Sequence, residues 1–402
     1  MPDTDIDQRV IDTLRTLAVD AIQRANSGHP GTPLDAAPTA YTLWRRFLRY
    51  DPHDPHWPNR DRFVLSSGHA SMLLYGLIHL AGIRAADPAY EDLDREAVTL
   101  DDIKTFRQAG SRCPGHPERG WTSGVETTTG PLGQGVATSV GMAIAGRWLA
   151  ATYDRPGFEL FDFNVYALCG DGDMMEGLSS EAASLAGHLR LSGLCWIYDS
   201  NRITIEGSTD LAFTEDVAAR FAGYGWNVLR VAHPDDAEPL AHAYQTFLDT
   251  RDRPTLIVVH SHIGYRSPHK QDTAAAHGEP LGADEVRLVK ERFGFSPDES
   301  FVVPDGVREY LAATFGRRGA EAHDAWDQLF ARYRNEYPGP AAELERLWRG
   351  DLPEGWEAAL PRYAPDAMVA AVSGMTLTGL RAFGSGFLIF TDYARGAIRL
   401  SS

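Results

Sequence analysis

The residues of this chain best suited to chemistry stand in two stretches. One is Gly170-Asp171-Gly172-Asp173-Met174-Met175-Glu176-Gly177; the other, about thirty residues on, is Asp199-Ser200-Asn201-Arg202-Ile203. Mg²⁺ takes hard oxygen ligands in near-octahedral array and commonly shares them with phosphates. Asp171 offers a carboxylate, Asn201 an amide oxygen, and the turn after Asn201 the backbone carbonyl of Ile203. Gly172 carries no side chain, which lets a diphosphate approach the backbone and the N-terminus of a following helix. A Gly-Asp-Gly triplet alone is usually a strand-to-helix turn with a capping aspartate. The asparagine-bearing partner at this distance shifts the reading to a metal–diphosphate site.

Such a site needs two neighbouring strands. Residues 164–169 (NVYALC) and 194–199 (LCWIYD) are short apolar runs rich in strand formers. Between them, 178–191 carries Leu178, Ala182, Leu185, Ala186 and Leu189 at helical spacing. Two buried strands bridged by a helix predict a right-handed βαβ unit of a parallel sheet. Asp171 and Asn201 then lie just past the carboxyl ends of adjacent strands, where open α/β sheets bind ligands. The runs FVLSS, WNVLRV and TLIVVH extend the same α/β pattern, with helices between strands, over residues 1–290. Residues 291–362 are charged, Pro-rich and helix-punctuated, and predict a helical linker region. Residues 363–402 form a short apolar tail.

Composition narrows the class. The chain has 402 residues, 43% of them hydrophobic, enough for a sizeable core in more than one domain. A formal charge of −17 argues against nucleic acid as a partner and means that an anionic substrate must meet a local basic cluster. There is no apolar run near the length of a membrane span. The acidic, amphipathic N-terminal stretch is unlike a signal or transit peptide. Cys113, Cys169 and Cys195 lack metal-ligand spacing and are expected to be inert thiols of a reducing cytoplasm.

The surrounding text resembles the transketolase branch of the thiamine-diphosphate enzymes. The Gly-Asp-Gly and its distant asparagine carry that cofactor's signature. Further blocks similar to the family are SGHPGTPLDAAPTAYTLW (27–44), DRFVLSSGHASMLLYGLIHLAG (61–82), PGHPERGWTSGVETTTGPLGQGVATSVGMAIA (114–145), SPHKQDTAAAHGEPLG (267–282) and GMTLTGLRAFGSGFLIFTDYARGAIRL (374–400). The resemblance implies a parallel-sheet fold that binds Mg²⁺ and thiamine diphosphate, followed by a remnant of a pyrimidine-binding domain. The implied reaction moves a two-carbon ketol unit from a ketose to an aldose.

Roles follow from the same resemblance. His29 and His277 would line the substrate channel and donate to the reacting oxygens, a task suited to imidazole near neutral pH. His69 and His277 would reach the diphosphate. Gly130, Pro131 and Leu132 would pack against the cofactor, and Ile205 would press on the thiazolium. Glu176 would lie at a subunit contact, and Phe387, Phe390 and Tyr393 would stack around the pyrimidine. His116 acquires no comparable role and is left as structural.

The sequence also departs from the family. Pro365 stands where a glutamate should face the pyrimidine and drive deprotonation of cofactor C2; Asp366 is one position away. Several dozen residues that open the pyrimidine domain are missing between EGWEAALPRY and PDAMVAAVSGM. Gly110 and Ala274 replace histidines, leaving a roomier channel. These departures predict one component of a split enzyme, a homodimer or a heteromer with a chain that carries the complete pyrimidine domain. The alternatives are a cofactor-binding or scaffolding homologue without catalysis, and a defective gene copy.

Overall fold

A computed structural model describes residues 3–359, which divide into two compact units. The first comprises residues 1–140 and 163–324, and it is built on a parallel sheet. Its strands are β1 (Arg62–Leu65), β2 (Val165–Gly170), β3 (Leu194–Ser200), β6 (Asn227–Val231) and β7 (Thr255–His260). They lie in the order β1-β2-β3-β7-β6, all parallel. A two-stranded hairpin, β4 (Ile203–Thr204) with β5 (Gly207–Ser208), follows β3 directly.

The sheet strands read as nearly unbroken apolar runs because helices cover both faces. On one face Tyr166, Leu168, Cys195, Ile197, Ile257 and Val259, which alternate along their strands, join one buried cluster. That cluster includes side chains of α1 (Asp3–Ala25), α2 (Gly31–Arg46), α3 (Ser71–Ala81) and the helix Ala237–Asp249. On the other face Trp196 sits 4.9 Å from the Trp226 ring and 5.6 Å from Phe221. Its indole N–H donates to Ser139 Oγ at 2.9 Å, and that of Trp226 to Ala183 O at 2.8 Å. Each such buried side chain contributes roughly 1.5–3 kcal/mol relative to exposure.

The second unit comprises residues 141–162 and 325 onward. Its described part is held by aromatic rings: Trp326 and Phe330 stack at 5.3 Å, and Phe330 lies 5.0 Å from Trp348. Trp326 Nε1 donates to Leu160 O, and Tyr333 Oη to Tyr153 O. Among the described residues, no helix is long and apolar enough to cross a membrane. Pro365, Phe387, Phe390 and Tyr393 lie outside the described residues.

Register positions the site. Gly170 pairs with Asp199, and Ser200 with His260, so the residues immediately after them share one edge of the sheet. Five runs identified by sequence coincide with the five strands, and the predicted bridging helix is Gly177–Leu189.

Candidate functional site

Asp171 opens a short helix, Asp171–Met175, and its side chain is buried at 5% exposure. Tyr198 donates its hydroxyl to Oδ1, and the Arg202 backbone N–H donates to Oδ2 at 2.8 Å. Arg202 reaches that position with φ at 64°, in the left-handed region. Burial pushes the Asp171 carboxyl above its usual range, and these hydrogen bonds pull it back down. No cationic side chain among the described residues lies within ion-pair distance of it. A cavity of about 480 Å³ opens beside Asp171, bordered by Tyr198, Arg202, Thr209 and His260.

Asn201, just past β3, turns its amide nitrogen inward. Nδ2 donates to Asp199 Oδ2 at 3.1 Å and to Asp35 Oδ2 at 3.3 Å, while Oδ1 accepts from the Ile203 N–H at 3.1 Å. Burial raises both the Asp35 and Asp199 carboxyls. The donor set fits a hard cation: one buried carboxylate without an ion pair, an amide oxygen, and a carbonyl from the next turn, with the remaining positions left for phosphate oxygens and water. Among the described residues no group of three or more His, Cys, Asp or Glu converges as a metal cage, so the ion would depend on the diphosphate.

Sequence reasoning gave no role to Asp173, yet it joins three segments of the chain. It is fully buried; Oδ1 accepts from Ser66 Oγ at 2.7 Å and the Gly133 N–H at 2.8 Å. Oδ2 accepts from Ser67 Oγ at 2.8 Å and the Gly170 N–H at 3.0 Å. One carboxylate therefore ties the end of β1, the turn after Leu132 and the end of β2. A Cβ built on Gly172 would stand 2.8 Å from Leu132 Cδ1, so a side chain there would displace Leu132 from the turn.

His29, His69 and His277 converge from a loop, the short helical turn Gly68–Ala70 and the end of the turn Ala274–Ala276. Their ring centroids lie 5.0 Å (His29–His69), 5.1 Å (His69–His277) and 5.8 Å (His29–His277) apart. Gly31 permits this: a Cβ on it would collide with Ile263 Cγ1 at 2.5 Å and Ala276 O at 2.7 Å. Its absence lets the His29 loop close on the segment leading to His277. Burial lowers the affinity of all three rings for a second proton, His29 to about 4, with neighbouring His277 and Arg107 adding to its shift. The cluster is neutral at pH 7.

Arg107 Nη2 lies 3.5 Å from His29 Nδ1. A guanidinium only donates, so the contact makes Nδ1 the acceptor and places the ring's proton on Nε2. The buried Nδ1 of His277 has no partner in the protein. Gly278 reports the neighbourhood: a Cβ there would meet Ile205 Cδ1 at 3.1 Å and His29 Nε2 at 3.4 Å. Ile205 is 60% exposed, an apolar side chain held at the mouth of the cluster. His116 lies against Gly130, where a Cβ would stand 3.4 Å from its ring, and its charge would be felt by His29 and His69.

The structure thus gathers His29, His69, His277 and Ile205 in one cluster. Gly130, Leu132 and Gly172 are close by contact with His116 and with each other, and Asp171, Asn201 and Ile203 line the strand ends. Glu176 is exposed outside the cluster, beside the partly exposed Met175, Leu178 and Leu185. His116, Arg107, Asp35 and Asp173 were not legible as site residues; His116 had only its Pro-Gly setting as a signal.

Comparison with known proteins gives the chain a family. The family described as "Transketolase, thiamine diphosphate binding domain" matches residues 6–353. The transketolase of Geobacillus stearothermophilus is 45% identical over 459 residues, covering 99% of this chain and 67% of that protein. That alignment is longer than the chain, so part of the relative stands opposite no residue here. Transketolase 1 of Saccharomyces cerevisiae is 49% identical over 91% of this chain and 52% of its own length. Among solved structures, the Leishmania mexicana transketolase superposes with a TM-score of 0.88 at 38% identity, covering 98% of this chain and 66% of that one. A Pichia stipitis transketolase in complex with sedoheptulose-7-phosphate gives 0.83 at 44% identity, over 92% and 53%. The chain therefore spans between half and two thirds of the proteins it matches.

Proposed function

Because the chain belongs to the transketolase family and carries that family's thiamine-diphosphate-binding domain, we propose that it binds Mg²⁺ and thiamine diphosphate and serves the transfer of a two-carbon ketol unit between sugars. The observation that carries this reading is that one compact unit holds both a buried Asp171 without an ion pair at the strand ends and a cluster of three buried histidines. Asp171, Asn201 Oδ1 and the Ile203 carbonyl would hold the cation, within the segment 1–290 that we assign to diphosphate and metal. Gly172 leaves room for the diphosphate, and His69 and His277 donate to its oxygens. Bound thiamine diphosphate supplies a nucleophilic carbon.

His29, with its proton on Nε2, is set to donate to a hydroxyl or carbonyl oxygen of the substrate, and His116 stands close enough to assist. Ile205 shields the reacting region from water, which strengthens such hydrogen bonds. The exposed Glu176 and the apolar Met175, Leu178 and Leu185 around it support a subunit contact, in a homodimer or with a chain that carries a complete pyrimidine domain. The substitution of Pro365 for the family glutamate supports the second arrangement, a split enzyme whose partner completes the site. Three buried, unpaired cysteines support a cytoplasmic setting.

The Asp171→Ala variant tests the reading. Isothermal titration with Mg²⁺ and thiamine diphosphate should show binding to the wild-type chain and at least about a tenfold loss in the variant, since a hard ligand is removed. Equal affinity for both would overturn the metal assignment.

A further inference from the structure

Asp35 sits where the packing alone calls for an apolar residue. It lies in the first turn and a half of α2, between Leu34 and Ala36, in a stretch from Gly31 to Trp44 that is buried throughout. The side chain is 1% exposed, and its Oδ1 has no hydrogen-bond partner in the protein. A buried, half-satisfied carboxylate is costly, and its position in the helix interior is not a cap. Its side-chain contact is with Asn201, whose Nδ2 donates to Asp35 Oδ2 at 3.3 Å and to Asp199 Oδ2 at 3.1 Å.

The geometry of a carboxamide gives this arrangement a meaning. The NH₂ end carries two donors and the oxygen only lone pairs. With a carboxyl oxygen facing each of the two N–H bonds, a flipped amide would lose both of these hydrogen bonds from its nitrogen. Asn201 is therefore held with its nitrogen toward Asp35 and Asp199 and its oxygen toward the turn at Ile203. Asp199 is itself held by the Ser261 hydroxyl, so it has a second structural tie. Asp35 has none.

We infer that Asp35 is a positioning residue for cation binding: with Asp199 it fixes the rotamer and the flip of Asn201, so that the amide oxygen stays presented to the metal. This rests on the assignment of Asn201 as a ligand in the proposed function. Groups that orient a metal ligand typically contribute 10–100-fold to metal affinity. Asp35 acts through one of two donors, so the effect falls at the lower end.

The test uses the full chain saturated with thiamine diphosphate, titrated with Mg²⁺ by calorimetry. Asp35→Ala should weaken Mg²⁺ about tenfold. Asp35→Asn, which keeps a carbonyl acceptor toward Asn201, should stay within about twofold of wild type. If the alanine variant does not fold, Asp35→Ser, too short to reach Asn201, replaces it and should show the same loss. Thermal unfolding without metal is recorded alongside, because a purely structural residue would lower the midpoint and leave the dissociation constant unchanged. Wild-type affinity in Asp35→Ala, or an equal loss in Asp35→Asn, overturns the inference while leaving the metal site standing. Absence of Mg²⁺ binding by the wild type overturns both.

Discussion

Asp173 and His277 are polar groups of the same compact unit, each serving a different purpose. The Asp173 carboxylate accepts four hydrogen bonds, two from hydroxyls and two from backbone N–H groups. The buried Nδ1 of His277 accepts none, and the histidines around it touch one another through ring faces and edges. Protein interiors rarely leave polar atoms unpaired, so the contrast separates an element that assembles the site from one kept open for a ligand. Asp171 lies between the two: hydrogen-bonded and buried, without an ion pair among the described residues.

The strongest way to break this contrast is Asp173→Ala. It strands two hydroxyls and two N–H groups in a dry interior, and should cost about 3–5 kcal/mol of stability by urea denaturation. A loss below about 1 kcal/mol would mean that the network is replaceable and the contrast empty.

A smaller effect, counted per ring, comes from acid. The folded rings bind a proton more weakly than free histidine, His29 near 4 against the ordinary 6.5. As pH falls through about 6.5 the unfolded chain takes up these protons first. The stability of the neutral cluster, complete above 6.5, is therefore eroded on the way down to about 4. Each such ring contributes at most about 1.4 kcal/mol per pH unit in that window. A variant with His29, His69 and His277 all changed to Gln should lose less stability than wild type between pH 7 and pH 5. Parallel pH curves for the two proteins would show that the rings do not titrate as neutral, buried groups.

The smallest change sharpens the functional side. Ile205 is mostly exposed, so Ile205→Ala should move stability by no more than about 0.5 kcal/mol. Loss of its apolar contact should still weaken thiamine diphosphate several-fold by titration, on the order of 1 kcal/mol. A stability loss larger than the affinity loss would make it a packing residue.

The strands and the bridging helix were legible because each depends on a local pattern: Val165–Gly170 and Leu194–Ser200 are continuous apolar runs, and Gly177–Leu189 repeats small and apolar residues at helical spacing. Asp171 and Asn201 were legible because their spacing follows from one strand–helix–strand unit. Asp35 was not, because the residue it meets is 166 positions away and only the sheet order brings α2 beside the end of β3. Asp173 was hidden for the same reason, and by its place inside the motif that drew attention to Asp171. The second unit could not be outlined from sequence, since it joins 141–162 to residues from 325 on, two segments with no shared periodicity.

The reach of Asp173 along the chain has a consequence for biosynthesis. Its partners Ser66 and Ser67 leave the ribosome more than a hundred residues ahead of it, and Gly133 forty residues ahead. Closing such long loops is entropically costly and comes after local structure has formed. A nascent chain that has exposed the His29 and His69 loops therefore holds no fastened strand ends to receive a diphosphate. Capture of the ligand must wait until β2 has docked and the carboxylate has drawn the earlier segments onto it. Before that point the two strand ends that would face the ligand are not yet fastened to each other.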